Sequence, residues 1–238
     1  MTMLGTAFLP IWHDIDAAME EQYLRWHTAE HIPERVLTPG IVVGRRYEDP
    51  EAQAQRYFLL YEAQSFDVFA SEGYFATANA RSEWTKRIDP HFQNFRRAPC
   101  HLVMTRGRGI GGALATFRIS FAPQAPSEDP QAPTAKDLFN LAIRAWVEST
   151  AARDLVTSVH VGVTAPVARR PLSSASLSLR PDATAFDAVL LVEGISRPVL
   201  KQVLPALEGE LRSRVPCLGS SETGVYSLSY LLSAAEVQ

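Results

Sequence analysis

His27 and His31 stand four residues apart in the run WHTAEHIPERVLTPGIVVGRRY, residues 26–47. On a helix that spacing puts two imidazoles on one face, about one turn apart. An imidazole titrates near neutral pH, so the pair can take up and release protons, and a helix C-terminus favours its charged form. The same position also suits a cap on the last carbonyls. Glu30 is expected to orient one histidine or to pair with Arg35. HTAEH also fits H-x-x-E-H, the inverted zinc-protease pattern. Zinc needs a third ligand from further along a helix, and Pro33 ends this one at once, so no metal is expected.

Arg45 and Tyr47 alternate with Ile41 and Val43. If that strand face lines a cavity, a guanidinium there can hold a carboxylate or enolate, and a phenol can donate to a developing oxyanion. Tyr57 and Tyr61 share a face with Leu59 and suit a cavity wall or core. Trp12 and Trp84 suit the same role, and His91 or His101 could complete a site with His31. His160 alternates with Val159 and Val161, the setting of a structural histidine more often than of a ligand. The candidate catalytic residues are therefore His31, His27, Tyr47 and Arg35. Candidate substrate contacts are Arg45, Trp12, Tyr61, His91 and Trp84.

Positioning these residues requires a particular order of elements. Residues 6–13 read as a strand, with Pro10 calling for an edge or a bulge. Asp14 or Asp16 caps a helix whose stripe is Ile15, Met19, Tyr23 and Trp26. Pro33 ends it near His31. Pro39-Gly40 is a turn, residues 41–48 and 56–63 form a hairpin, residues 65–95 are mostly helical, and residues 101–106 are a strand. The second half repeats the order. Residues 114–121 are a strand, 122–136 a Pro-rich loop, and 137–149 a helix with Leu138, Leu141, Ala142, Ala145 and Trp146 on one side. Strands over 155–164 and 186–194 are separated by a Ser/Pro/Arg loop. A helix over 196–214, kinked by Pro205, and a strand over 225–232 close the set. GRGIGG, residues 107–112, precedes a strand rather than a helix, so it reads as a linker and not a dinucleotide loop.

The chain has 238 residues, 46% hydrophobic and 21% charged, which suffices for a real core. A formal charge of −3 gives no basic field for nucleic acid or a membrane surface. No cationic n-region precedes the first apolar run, and no run reaches the roughly 18 residues of a membrane span. Two cysteines fit a reducing cytosol. A soluble, cytoplasmic protein follows, with a small-molecule partner. The duplicated βαββαβ order gives an α+β fold with repeats over 1–108 and 113–238. Apolar residues on both strand faces call for sheet-to-sheet packing, a barrel with helices outside.

This topology, with W-H-x-x-E-H-x-P-E-R closing the first helix and P-G and R-R-Y after it, resembles the dimeric α+β barrel superfamily of tandem ferredoxin-like folds. Within that superfamily it resembles the EthD-like branch. The topological likeness spans nearly the whole chain, and the motif likeness about residues 12–100. The resemblance implies an intrachain pseudo-dimer, compatible with a further homodimer, and a cavity used without metal or organic cofactor. The chemistry implied is isomerisation, cyclisation, decarboxylation or oxygenation of small aromatic, lactone or polyketide-like molecules. The family histidine, in its H-x-P context, maps onto His31. The second copy has no histidine at its first helix end, so its site is degenerate. The function expected is a cofactor-independent lyase, isomerase or cyclase. Haem-binding members of the superfamily set an alternative, with His160 as proximal ligand; a non-catalytic, stress-related ligand-binding barrel is the other.

Overall fold

A computed structural model describes residues 3–124, 129, 131–166 and 186–237. The chain forms two compact units. One joins Leu4–His101 with the end of the chain from Leu228. The other joins Leu102–Thr164 with the segment ending at Ser227. Parts of the Pro-rich and Ser/Pro/Arg loops lie outside the described residues.

The first unit contains β1 (Ala7–Ile15), α1 (Glu20–Trp26), a π-helical turn (His27–His31), α2 (Ile32–Val36), β2 (Ile41–Glu48) and β3 (Tyr57–Ala63). It continues with α3 (Glu72–Asn79), α4 (Glu83–Ile88) and β4 (Phe92–Arg97). Its antiparallel sheet runs β2-β3-β1-β4, the order of a ferredoxin-like βαββαβ unit. Pro10 does not sit at an edge. On one side it pairs in register with Leu60; on the other, β5 (Cys100–Gly107) pairs with Ala7 and Phe8, and β4 pairs from Ile11 onward. Pro10 therefore has a strand neighbour on the β3 side and none on the other, where β4 and β5 part. β4 replaces the helical reading of residues 92–95, and Asn94 takes φ +50° within it. Pro39-Gly40 is a turn as expected, with Ile41 N–H on Thr38 O at 3.0 Å. Gly40 has φ +90°, and a Cβ there would lie 2.4 Å from Val68 Cγ2, so only glycine fits.

Leu9, Ile11, Leu59, Tyr61 and Ala63 turn toward the helices and pack with Ile32, Val36 and Phe69. Ile15, Tyr57, Tyr23, Trp26 and Ile88 form a second cluster. A fully buried aromatic or aliphatic side chain contributes roughly 1.5–3 kcal/mol, so these clusters anchor the π turn to the sheet. The alternate residues Phe8, Trp12, Phe58 and Leu60 are buried on the opposite face.

The second unit contains the rest of β5, β6 (Ala113–Phe121), α5 (Ala135–Ala151), β7 (Val156–Thr164), β8 (Ala188–Gly194), α6 (Arg197–Arg214) and β9 (Leu218–Ser233), the last up to Ser227. Its strands run β9-β6-β8-β7-β5, the same ferredoxin-like order. Phe117, Val159, Val161, Leu190 and Val192 pack against Phe139, Ile143, Trp146, Leu207 and Leu211. The buried stripe of α5 is Phe139, Ile143, Trp146, Val147 and Thr150, not the one through Leu138 and Leu141. Leu141 is 79% exposed. The 139-143-146-150 stripe holds helical spacing for longer and carries both aromatics, so it wins the core. α6 runs through Pro205, whose exposed position turns the broken hydrogen bond to solvent. Among the described residues no helix is long and apolar enough to cross a membrane.

Candidate functional site

The helix does not stop at His31. His27–His31 widens into a π turn, closed by Ile32 N–H on His27 O, and α2 then carries Pro33 in its first turn. One extra residue in the ring lets a proline without N–H follow without breaking the helix, and π turns of this kind recur at functional sites. The turn puts the His27 and His31 rings 5.4 Å apart, with Trp26 4.3 Å from His31 and Tyr23 5.2 Å from His27. His27 is fully buried and His31 nearly so.

Arg46, from β2, completes the cluster. Its Nη1 donates to Thr28 Oγ1 at 3.0 Å and lies 3.5 Å from His27 Nδ1. Its Nε donates to Ser229 Oγ at 3.1 Å and lies 3.4 Å from the partly exposed Glu48 carboxylate, and its guanidinium lies over the Tyr230 ring, so the Nη side facing His27 is the side left to act on a ligand. A guanidinium only donates, so the contact makes His27 Nδ1 an acceptor and leaves Nε2 with the proton. Gly44, two residues earlier on the same face, makes this possible. A Cβ there would sit 3.1 Å from Tyr61 Cε1 and 3.2 Å from Ile32 Cγ2, so glycine lets helix and strand close together.

Around the pair lies an aromatic and polar shell. His13 Nε2 is 2.9 Å from Tyr23 OH, and its ring stacks on Tyr57. Burial pushes the Tyr23 phenol well up, against a smaller opposing pull from Arg46. Burial and a hydrogen bond to Glu20 push Tyr57 up as well. Both phenols therefore stay neutral at physiological pH. Glu30 plays neither role expected of it. Its Oε1 accepts from the Trp26 indole at 3.0 Å and from the Ser82 and Thr85 hydroxyls, which ties the π turn to α4. Among the described residues no three His, Cys, Asp or Glu side chains converge as a metal site requires.

Of the candidates, the structure brings His27 and His31 together and separates the others. Arg45 and Tyr47 lie on the opposite sheet face, both buried. Arg45 Nη2 is bonded to Glu62, and Nη1 donates to Tyr47 OH at 3.3 Å. Glu62 neutralises that guanidinium, so it is not poised for a substrate anion. Trp12 packs on Phe58 on that face at 5.0 Å. Tyr61 is helix-facing core, Trp84 packs at the edge of the Tyr23–Trp26 cluster, and Arg35 is half-buried in the last turn of α2. The charge of Arg35 opposes the rise that burial and Glu30 impose on the Glu34 carboxyl. His91 is 3.5 Å from Asp16 in a partly exposed position, and exposed His101 stacks on Phe66 at 4.1 Å. Sequence reading missed Arg46, Tyr23 and His13 as partners of the pair. Gly44 was the available signal for Arg46.

His160 does not fit the role of haem ligand. Its Nδ1 is 2.8 Å from Thr105 Oγ1, and its Nε2 is 3.1 Å from Ser158 Oγ and 3.3 Å from Glu193 Oε1. An iron ligand must turn one bare nitrogen to the metal, and here both are engaged. The helix-facing side of the same sheet is a packed apolar core.

No family model and no curated protein matches the chain. Solved structures do. An anthrone oxidase-like protein aligns at TM-score 0.60 and 11% identity, over 100% of this chain and 98% of that one. A candidate monooxygenase from Fusobacterium nucleatum aligns at 0.56 and 12%, over 97% and 96%. A heme-binding protein from Thermus thermophilus aligns at 0.55 and 10%, over 97% and 93%. At such identities the likeness is one of fold. It bears out the α+β, ferredoxin-like fold; the resemblance to the dimeric α+β barrel superfamily and its EthD-like branch rests on the sequence, on W-H-x-x-E-H-x-P-E-R with P-G and R-R-Y after it.

Proposed function

We propose that this chain is a cytosolic enzyme of small-molecule metabolism that removes a proton from a carbon acid, an aromatic or polyketide-like ketone, with His31 as proton acceptor. The observation that carries this reading is the π turn, which sets His31 beside His27, itself against the Arg46 guanidinium. His31 lies at the less enclosed end of the pair and takes the proton. His27, with Nε2–H directed by the Arg46 contact on Nδ1, donates to the enolate oxygen. The Arg46 charge stabilises that enolate. The enolate can then rearrange, close a ring or react with dioxygen; the anthrone oxidase-like and monooxygenase-type neighbours favour the last. For anthrone the sum is one ketone and one O2 giving one anthraquinone and one water, with the protein supplying only proton transfer and positioning.

The test is oxygen consumption with anthrone and a small set of lactone and β-ketoester carbon acids. His31→Ala should lower turnover by about 100-fold or more. Unchanged turnover in that variant would remove His31 from the chemistry.

A further inference from the structure

The two units carry matching buried carboxylates. The third strands align as FLLYEA, residues 58–63, and VLLVEG, residues 189–194, and their registers coincide. Leu60 pairs with Arg45 and Leu191 with His160. Glu62 pairs with Val43 and Glu193 with Ser158, each beside a bulge. Glu62 Oε2 accepts Leu4 N–H at 2.7 Å, and Glu193 Oε2 accepts Gly111 N–H at 2.6 Å, in both cases from the segment entering the unit's first strand. The remaining oxygen meets Arg45 in one copy and His160 in the other. One copy thus holds a permanent cation where the other holds a proton carrier.

The proton positions around His160 follow from its bonds. Ser158 Oγ donates to Gly109 O at 3.2 Å and so presents a lone pair to His160 Nε2. Glu193 Oε1 presents another. Two acceptors hold the proton on Nε2, which leaves Nδ1 to accept from the Thr105 hydroxyl 2.8 Å away. Thr105 is half-buried on β5, while His160 and Glu193 are enclosed. Hydroxyl, imidazole and carboxylate in line are the arrangement that activates an oxygen nucleophile.

We propose that Thr105, His160 and Glu193 form a nucleophilic site, sharing no residue with the π-turn cluster, that reacts with activated acyl esters. Thr105 Oγ1 attacks the ester carbonyl while its proton passes to His160 Nδ1. The bond to the leaving oxygen breaks, the phenolate departs, and the imidazolium, held by Glu193 through Nε2–H, returns its proton to solvent. Water then cleaves the acyl-threonine by the same route, releasing the acid and restoring the hydroxyl.

The experiment is incubation of the full chain with p-nitrophenyl acetate at pH 8, reading p-nitrophenolate release and mapping acetyl groups by peptide mass. The expected result is acetylation of Thr105, kept in Thr105→Ser, abolished in Thr105→Val and slowed about 100-fold in His160→Gln. Circular dichroism establishes that each variant is folded. If His160→Gln does not fold, the Ser and Val variants at Thr105 carry the test. No acetyl group on Thr105 in the native protein, or equal acetylation in folded His160→Gln, would overturn the proposal.

Discussion

Replacing Glu62 by Gln strips the charge from one half of a buried pair and leaves Arg45, 1% exposed, facing an amide. The new side chain can still accept the Leu4 N–H that now binds Oε2, so the loss is almost wholly the uncompensated guanidinium. Breaking one partner of a buried ion pair costs about 3–5 kcal/mol, whereas replacing both with neutral residues of similar volume is close to neutral. For a chain of this size each kcal/mol moves Tm by roughly 2–4 °C, so Glu62→Gln should lower Tm by about 6–20 °C. The double variant Arg45→Met with Glu62→Gln should recover most of that loss. Differential scanning calorimetry of the native protein, both single variants and the double variant closes the cycle. Turnover in the double variant reports separately on function, and it should be retained because the pair lies on the sheet face away from the π turn. A Glu62→Gln penalty below about 1 kcal/mol, or a double variant no more stable than the single, would refute the reasoning.

Three further outcomes follow from the first unit and from the two buried thiols, one in each unit. Asp14 accepts from Gln55 N–H at 2.6 Å, Arg56 N–H at 2.8 Å and Asn94 Nδ2 at 2.7 Å; Asp14→Ala should cost about 1–3 kcal/mol in urea denaturation by leaving those donors unmet. Tyr23 and Tyr57 have folded-state phenols raised above the ordinary value near 10. The unfolded chain therefore ionises first as pH rises. Their contribution to stability is complete below pH about 10 and is lost above it, which alkaline titration of tyrosinate absorbance alongside unfolding would display. Burial pushes the Cys100 and Cys217 thiols up, and both are free and buried. A thiol-specific chromogenic reagent should react with them slowly until denaturant is added.

The duplicated βαββαβ order was legible because strand alternation and helix stripes are local patterns. The site was legible only in part. His27 and His31 are close in sequence, so their pairing needs nothing but a helix. Pro33 was misread as a stop because a proline inside a helix ordinarily breaks it, and a π turn has no sequence pattern of its own. Arg45 and Arg46 fall on opposite faces by simple alternation, but which face meets the helices is a property of packing. Glycine at position 44, beneath Ile32, is the one local sign of it. The pairing of His160 with Glu193 depends on the bulge between Val156 and Ser158, which sets the strand register and leaves no trace in composition. β4 was missed because its residues also satisfy helical spacing until pairing with β1 decides otherwise.

The central claim is that His31 takes a proton from carbon, and exchange in heavy water under anaerobic conditions tests it without depending on what later consumes the enolate. Deuterium entering the activated carbon of anthrone, a lactone or a β-ketoester is followed by NMR in buffer, native protein and His31→Ala. The account predicts that native protein accelerates exchange in at least one of these acids and that His31→Ala returns it to within a few-fold of the buffer rate. Equal acceleration by native protein and His31→Ala, or none by either, would contradict it.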